Sequence, residues 1–151
     1  MIEGVSIEHE LERHGSYASV TKGCSMAPLF KTHRDVVIIE KPQREIRRLD
    51  VVLYRGSNEK EYVLHRVIRV RGDLLIIRGD NNFFKELLTK DKIVGILTQF
   101  NRNGKEATVN DLGYRLYSHL WCAIYPLRYA KHLVCRIARK AYKVIFKRKN
   151  R

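Results

Sequence analysis

The chain has 151 residues, 44% of them hydrophobic and only three of them Pro, so it suits one compact domain with an appendage and is not a disordered chain. Its formal net charge of +14 indicates an anionic partner, either nucleic acid or an acidic membrane face. The three cysteines contain no CxxC pair, which argues against a disulfide framework and favours a reducing compartment.

The charge is concentrated at one end of the chain. Residues 113–151 contain eleven Lys or Arg and no Asp or Glu, so this segment carries +11 of the +14. The first 112 residues are close to neutral. This pattern predicts a domain over residues 1–112 and a basic tail over residues 113–151. Because the acidic N-terminus has no apolar region and no run of about 18 apolar residues occurs, we expect neither a signal peptide nor a transmembrane helix.

The first part of the chain predicts a mainly β fold. Ser6 to His14 is predicted to be a short helix with Ser6 as its N-cap and Gly15 at its end. Short apolar, β-branched runs follow, and tight turns separate several of them, so we expect a small twisted antiparallel sheet or partial barrel. The predicted strands are Val36–Ile39, Asp50–Tyr54, Tyr62–Val70, Leu74–Ile77, Ile93–Thr98 and Ala107–Val109, with a hairpin turn at Gly72-Asp73.

The basic tail shows helical periodicity. Apolar residues recur about every 3.6 positions from Leu127 to Ile145, and Pro126 is expected to separate this helix from the aromatic stretch before it. Three interpretations are open: an interfacial membrane anchor, a nucleic-acid contact, or a helix whose apolar stripe packs on the domain. The first is favoured over nucleic acid, and its candidate contacts are Arg128, Lys131, Arg136, Arg139, Lys140 and Lys143.

The stretch from Gly23 to Leu29, GCSMAPL, is predicted to be a tight turn that displays the hydroxyl of Ser25. A serine acts as a nucleophile only beside a base and an orienting group. His65, in the third predicted strand, can accept its proton at cellular pH, and Asp80, after the fourth strand, can hold the other ring nitrogen. Ser25, His65 and Asp80 are therefore the candidate catalytic residues, although Asp80 can also be explained as a turn cap.

Four boxes in order extend this pattern: GCSMAPL, then DVV with VLHRV, then RGDNN, then KDKIVG. They cover about half the chain, from Thr21 to Gly95, and the chain resembles the type I signal peptidase family. The HRV and GDNN boxes are similar to the branch that uses His as its base, whereas leader peptidases and LexA-type repressors use Lys. The resemblance implies a twisted β fold, a serine endopeptidase, an extended peptide substrate and small side chains before the cut.

The resemblance also implies roles around the serine and exposes three differences. Cys24 and Met26 fall at substrate or oxyanion positions, and Met26 is expected to shape the floor of the substrate site; Cys24 as the nucleophile is the less favoured alternative. Gly23 stands where many members have a second serine, so backbone N–H groups would hold the oxyanion. Phe83-Phe84-Lys85 stands where a second acid is expected, and the usual N-terminal anchor is not seen.

The resulting hypothesis is a cytoplasmic enzyme, peripheral to the membrane, that trims leader or signal segments from precursor peptides. It uses no cofactor, and the other histidines lack metal-ligand spacing. One alternative is a non-catalytic peptide- or membrane-binding module on the same fold. Another is a repressor-type self-cleaving domain, which would need a Lys base, for which Lys60 is a poor candidate, and a DNA-reading head.

Overall fold

The computed structural model describes residues 6–56 and 61–149, with side chains in the last helix described to Lys140 and at Tyr142. The described residues form two compact units, one that ends at Ser118 and one that begins at His119. The predicted boundary at residue 113 lies inside the first unit, and the separate roles of residues 1–112 and 113–151 stay a prediction.

The first helix, α1, is Ile7–His14, as predicted. The hydroxyl of Ser6 accepts a hydrogen bond from the backbone N–H of His9 at 3.3 Å, which satisfies one of the N–H groups that a helix start leaves without a partner. Gly15 ends the helix in the left-handed conformation, with φ 74°, and its N–H binds the carbonyl of Leu11. Leu11 anchors the helix through a buried side chain.

Eight strands of the described residues form an antiparallel sheet that curls into a half-barrel, which confirms the mainly β prediction. Their order in the sheet is β1-β2-β7-β3-β4-β5-β6, with β8 paired to β7. The strands are β1 (Ser16–Val20), β2 (Val36–Glu40), β3 (Val51–Arg55), β4 (Tyr62–Arg71), β5 (Leu74–Arg78), β6 (Glu86–Thr89), β7 (Ile93–Arg102) and β8 (Lys105–Thr108).

The predicted strands are confirmed within a few residues, and Gly72 makes the β4–β5 turn with φ 57°. The prediction missed β1 and β6. The SYASV sequence of β1 carries few apolar residues, since it lies at the sheet edge and buries none of its side chains fully. Strand β6 has four residues at the opposite edge, too few to show an alternation.

Both faces of the sheet centre are buried. Along β3, Val51 and Leu53 pack in one apolar cluster with Met26, while Val52 and Tyr54 pack in another. In the register of β4, His65 lies opposite Val52 and Arg66 lies opposite Val51. Consecutive residues of β4 therefore point to opposite faces, which determines the partners of the candidate base and of its neighbour.

Two C-terminal helices follow the sheet: α2 (Leu112–Ala123) and α3 (Tyr125–Lys149). The predicted C-terminal helix is confirmed, although the side chains of Ala141, Val144 and Ile145 in its predicted stripe lie outside the described residues. The break falls next to Pro126, which suits a first helical turn because its missing N–H is not needed there. Within the first unit, α2 buries Tyr114 and Ser118. Among the described residues, no helix is long and apolar enough to cross a membrane.

Candidate active site

The serine turn leaves Ser25 partly accessible while apolar residues that follow it are buried. Gly23 has φ 75°, in the left-handed region that glycine adopts without strain. Ser25 is half-buried, whereas Met26 and Leu29 behind it are buried in the apolar cluster shared with β3. The turn thus keeps the serine accessible while its neighbours anchor it.

The loop from Gly79 to Asn82 holds this turn in place. The backbone N–H of Asn81 donates to the carbonyl of Ser25 at 2.7 Å, and the Asn81 side-chain amide donates to the carbonyl of Cys24 at 3.2 Å. An ideal Cβ on Gly79 would lie 2.6 Å from the Ser25 carbonyl oxygen and 3.0 Å from Nε2 of His65. The backbone carbonyl of Ser25 and the ring of His65, forty residues apart in sequence, therefore both lie close to Gly79.

This close approach predicts a large effect of Gly79→Ala. The added methyl group would overlap a backbone oxygen that Asn81 already holds, so the loop or the serine turn must shift. We expect a loss of roughly 1–3 kcal/mol in the free energy of unfolding. We also expect loss of any reactivity of Ser25, measured with a serine-directed acylating probe. Gly113→Ala is the matched control, because a Cβ on Gly113 meets nothing within 4 Å. Equal labelling of both variants would contradict the prediction.

His65 is buried in β4, and its ring Nδ1 has two oxygen neighbours. Oε1 of Glu86 lies 3.1 Å from Nδ1, and the hydroxyl oxygen of Tyr54 lies 3.0 Å from it. The Tyr54 hydroxyl donates its proton to Oε2 of Glu86 at 2.9 Å, so both neighbours face Nδ1 as acceptors. This arrangement places the proton on Nδ1 and leaves Nε2, the nitrogen facing Gly79, as the acceptor of a proton.

Burial lowers the pKa of His65 below its ordinary value of 6.5, although the carboxylates of Glu86 and Asp80 act in the opposite direction. The ring is therefore neutral at cellular pH, as a general base must be. Burial also raises the pKa of Tyr54, with a further contribution from its hydrogen bond to Glu86, so this hydroxyl stays protonated as a donor.

Asp80 binds Arg66, the neighbour of His65 in β4. The guanidinium donates to both carboxylate oxygens at 2.8 Å, and the Tyr117 hydroxyl adds a bond at 3.1 Å. Arg66 also donates to Ser118 Oγ at 2.9 Å. The role of Asp80 as the acid that orients His65 stays a prediction, but the geometry favours Glu86 for that role.

Four residues of the site were not predicted from the sequence: Tyr54, Arg66, Asn82 and Glu86. Glu86 had a recognisable signal, since it directly follows the Phe83-Phe84-Lys85 stretch where a second acid was expected. Asn82 places its side-chain amide 3.5 Å from Nε2 of His65. Tyr54 and Arg66 depend on strand register, which the sequence does not specify by itself.

A groove of about 740 Å³ runs past Ser25. The edge strand β1 and the first residues of β4 line it, together with Met26 and apolar side chains of the sheet. Strand β5 pairs with β4 from Arg66 onward, so among the described strands only β3 pairs with the stretch Tyr62–Leu64. Met26 lines this groove, and both its role as the substrate floor and the oxyanion role of Cys24 and the nearby backbone stay predictions.

The predicted contacts of the tail lie on α3. Lys131, Arg136, Arg139 and Lys140 are exposed, while Arg128 is half-buried with its guanidinium 3.9 Å from the centre of the Trp121 ring. The side chain of Lys143 lies outside the described residues, as does the whole of Lys60, the alternative base. No group of three or more His, Cys, Asp or Glu in the described part of the chain could hold a metal ion.

No protein-family model matches the chain, and none of the curated proteins matches it. The signal peptidase resemblance therefore stays a prediction that rests on the four sequence boxes and gains support only from the geometry of Ser25 and His65.

Proposed function

We propose that this protein is a serine endopeptidase of the signal peptidase type, with a LexA-like fold, that removes a leader or signal segment from precursor peptides. The observation that supports the proposal is the placement of His65: Nδ1 contacts Glu86 and Tyr54, while Nε2 and the backbone carbonyl of Ser25 both lie close to Gly79. A nucleophile, a base and an orienting acid in this order are the parts that acyl transfer by a serine requires.

In the proposed reaction, Nε2 of His65 takes the proton of the Ser25 hydroxyl as Oγ attacks the scissile carbonyl carbon. Backbone N–H groups of the serine turn stabilise the resulting oxyanion. The C–N bond then breaks, His65 returns the proton to the leaving amine, and an acyl-enzyme ester remains. Water, deprotonated by His65, hydrolyses this ester and restores Ser25. Glu86 stabilises the imidazolium that forms in each half of the reaction.

The groove supports an extended peptide as the substrate. The Tyr62–Leu64 stretch of β4 and the edge of β1 both offer backbone N–H and C=O groups to a peptide lying between them. The apolar lining formed by residues such as Met26 and Val37 suits a hydrophobic segment. Leader and signal segments have both properties.

The proposal is tested by labelling the folded protein with a serine-directed acylating probe and by incubating it with precursor peptides. We expect an adduct on Ser25 and peptide cleavage by the wild type, and neither by Ser25→Ala or His65→Ala. Peptide binding without an adduct would favour the non-catalytic module. Self-cleavage that Lys60→Ala abolishes and His65→Ala leaves intact would favour the repressor-type reading.

The pH dependence of acylation follows from the lowered pKa of His65. The neutral ring is the active form and exists above that pKa, so the labelling rate should rise with pH and reach half its maximum below pH 6.5. Burial of a neutral His also predicts that stability falls as the pH drops below 6.5, because the unfolded chain binds the proton first. A half-maximum above pH 7 would contradict the assignment of His65 as the base.

A further inference from the structure

Helix α3 has an apolar face that is exposed to solvent. Leu127, Val134 and Ile137 are 75%, 65% and 59% exposed. At 100° per residue these positions fall on one side of the helix, together with Ala130 and Ala138. Exposed apolar side chains in such a row are typical of a surface that binds something apolar.

The opposite side of α3 is strongly basic. Arg128, Arg136 and Arg139 lie there, and Lys131 and Lys140 lie at the two borders between the faces. The sequence has no Asp or Glu from Gly113 to Arg151, so no acid within this segment neutralises these cations. One helix thus presents an apolar strip bordered by positive charge along most of its described length.

Aromatic side chains gather where this helix begins. The rings of Tyr125 and Tyr129 are 5.9 Å apart, and the guanidinium of Arg128 stacks over Trp121 at the end of α2. At 100° per residue, Tyr125 and Tyr129 lie on the basic side of α3, so the apolar strip consists of aliphatic side chains and does not include these rings.

We infer that α3 binds the surface of an anionic lipid bilayer, lying in the plane of the headgroups with its apolar strip toward the lipid tails. The strip would enter the acyl boundary while Lys131 and Lys140 reach the phosphates beside it. At about 1.5 Å per residue, the 25 residues of α3 extend over roughly 37 Å of membrane surface. A nucleic acid would match the cations but would leave Leu127, Val134 and Ile137 exposed to water, so the lipid surface accounts for more of the helix.

The test uses the full chain carrying Ser25→Ala, so its result does not depend on peptidase activity. Sedimentation with vesicles should show stronger binding to phosphatidylcholine that contains phosphatidylserine than to phosphatidylcholine alone, and weaker binding as salt is added.

Val134→Gln/Ile137→Gln should lower binding about tenfold or more without loss of helix, because Gln is a good helix former. Lys131→Ala/Lys140→Ala should lower it by a similar factor, because these two side chains border the apolar strip. Leu74→Ser, which changes an exposed apolar residue of β5, is the control and should bind as well as the parent protein.

Two results would overturn the inference. One is equal binding to vesicles with and without phosphatidylserine. The other is vesicle binding that Val134→Gln/Ile137→Gln leaves unchanged. Tight binding to a DNA duplex that these substitutions do not affect, combined with weak vesicle binding, would assign the cations to nucleic acid instead. Retained vesicle binding by a chain that fails the acylation test would uphold the surface and reject only the peptidase.

Discussion

Glu86→Gln is expected to lower the rate of Ser25 acylation by about 10³–10⁴-fold, the effect of replacing the orienting acid by its amide in a serine triad. The carboxylate accepts the Nδ1–H of His65 at 3.1 Å and the hydroxyl proton of Tyr54 at 2.9 Å. An amide NH₂ facing Nδ1 would favour the tautomer with its proton on Nε2, which cannot take the serine proton. The measurement is the rate of probe labelling, together with the ¹⁵N chemical shifts of His65 that report which nitrogen carries the proton.

The substitution should leave folding almost intact, because the side chain of Glu86 is about one-third exposed. A change in the free energy of unfolding within about 1 kcal/mol is expected. Tyr54→Phe is a milder variant for comparison. It removes one hydrogen bond to Glu86 and should slow labelling roughly tenfold. If Glu86→Gln labelled as fast as the wild type, Glu86 would not be the orienting acid, and the role would return to Asp80.

The strands could be predicted from the sequence because alternation and β-branched runs are local properties. Val36–Glu40 and Leu74–Arg78 show them clearly. Edge strand β1 could not be predicted, since a strand that buries little side chain needs few apolar residues. The same limit applies to β6, and Glu86, its first residue, escaped notice with it.

The candidate site was predictable only in part. Ser25 and His65 were proposed from four ordered boxes, and no local rule brings together residues forty positions apart. The contact between Asp80 and Arg66 was not predicted, because a Gly-Asp-Asn sequence indicates an acid in a turn but not which side of the neighbouring strand it faces. The register Val51↔Arg66 and Val52↔His65 places the two neighbours on opposite faces, and register depends on the whole sheet.

Asp80→Asn is expected to destabilise the fold by about 3–5 kcal/mol, because it leaves the buried guanidinium of Arg66 without its counter-charge. Arg66 is fully buried and Asp80 is 3% exposed, so water cannot replace the lost carboxylate. The midpoint of urea unfolding should fall while its slope stays constant. Glu45→Gln, which breaks the exposed pair with Lys90, is the control and should leave the midpoint unchanged.

A double-mutant cycle tests whether Asp80 stabilises the fold through its ion pair with Arg66. In an Arg66→Met background, Asp80→Asn should cost less than it does alone, because no buried cation is left unpaired. Equal costs in both backgrounds would show that Asp80 stabilises the fold through other contacts, such as the Tyr117 hydroxyl. Comparing labelling rates at a temperature where each variant is folded then distinguishes the two carboxylates. If Asp80 serves only to stabilise the fold through Arg66, any loss of labelling in Asp80→Asn should follow the loss of stability. The carboxylate of Glu86 contacts the ring of His65, so Glu86→Gln should slow labelling without lowering stability.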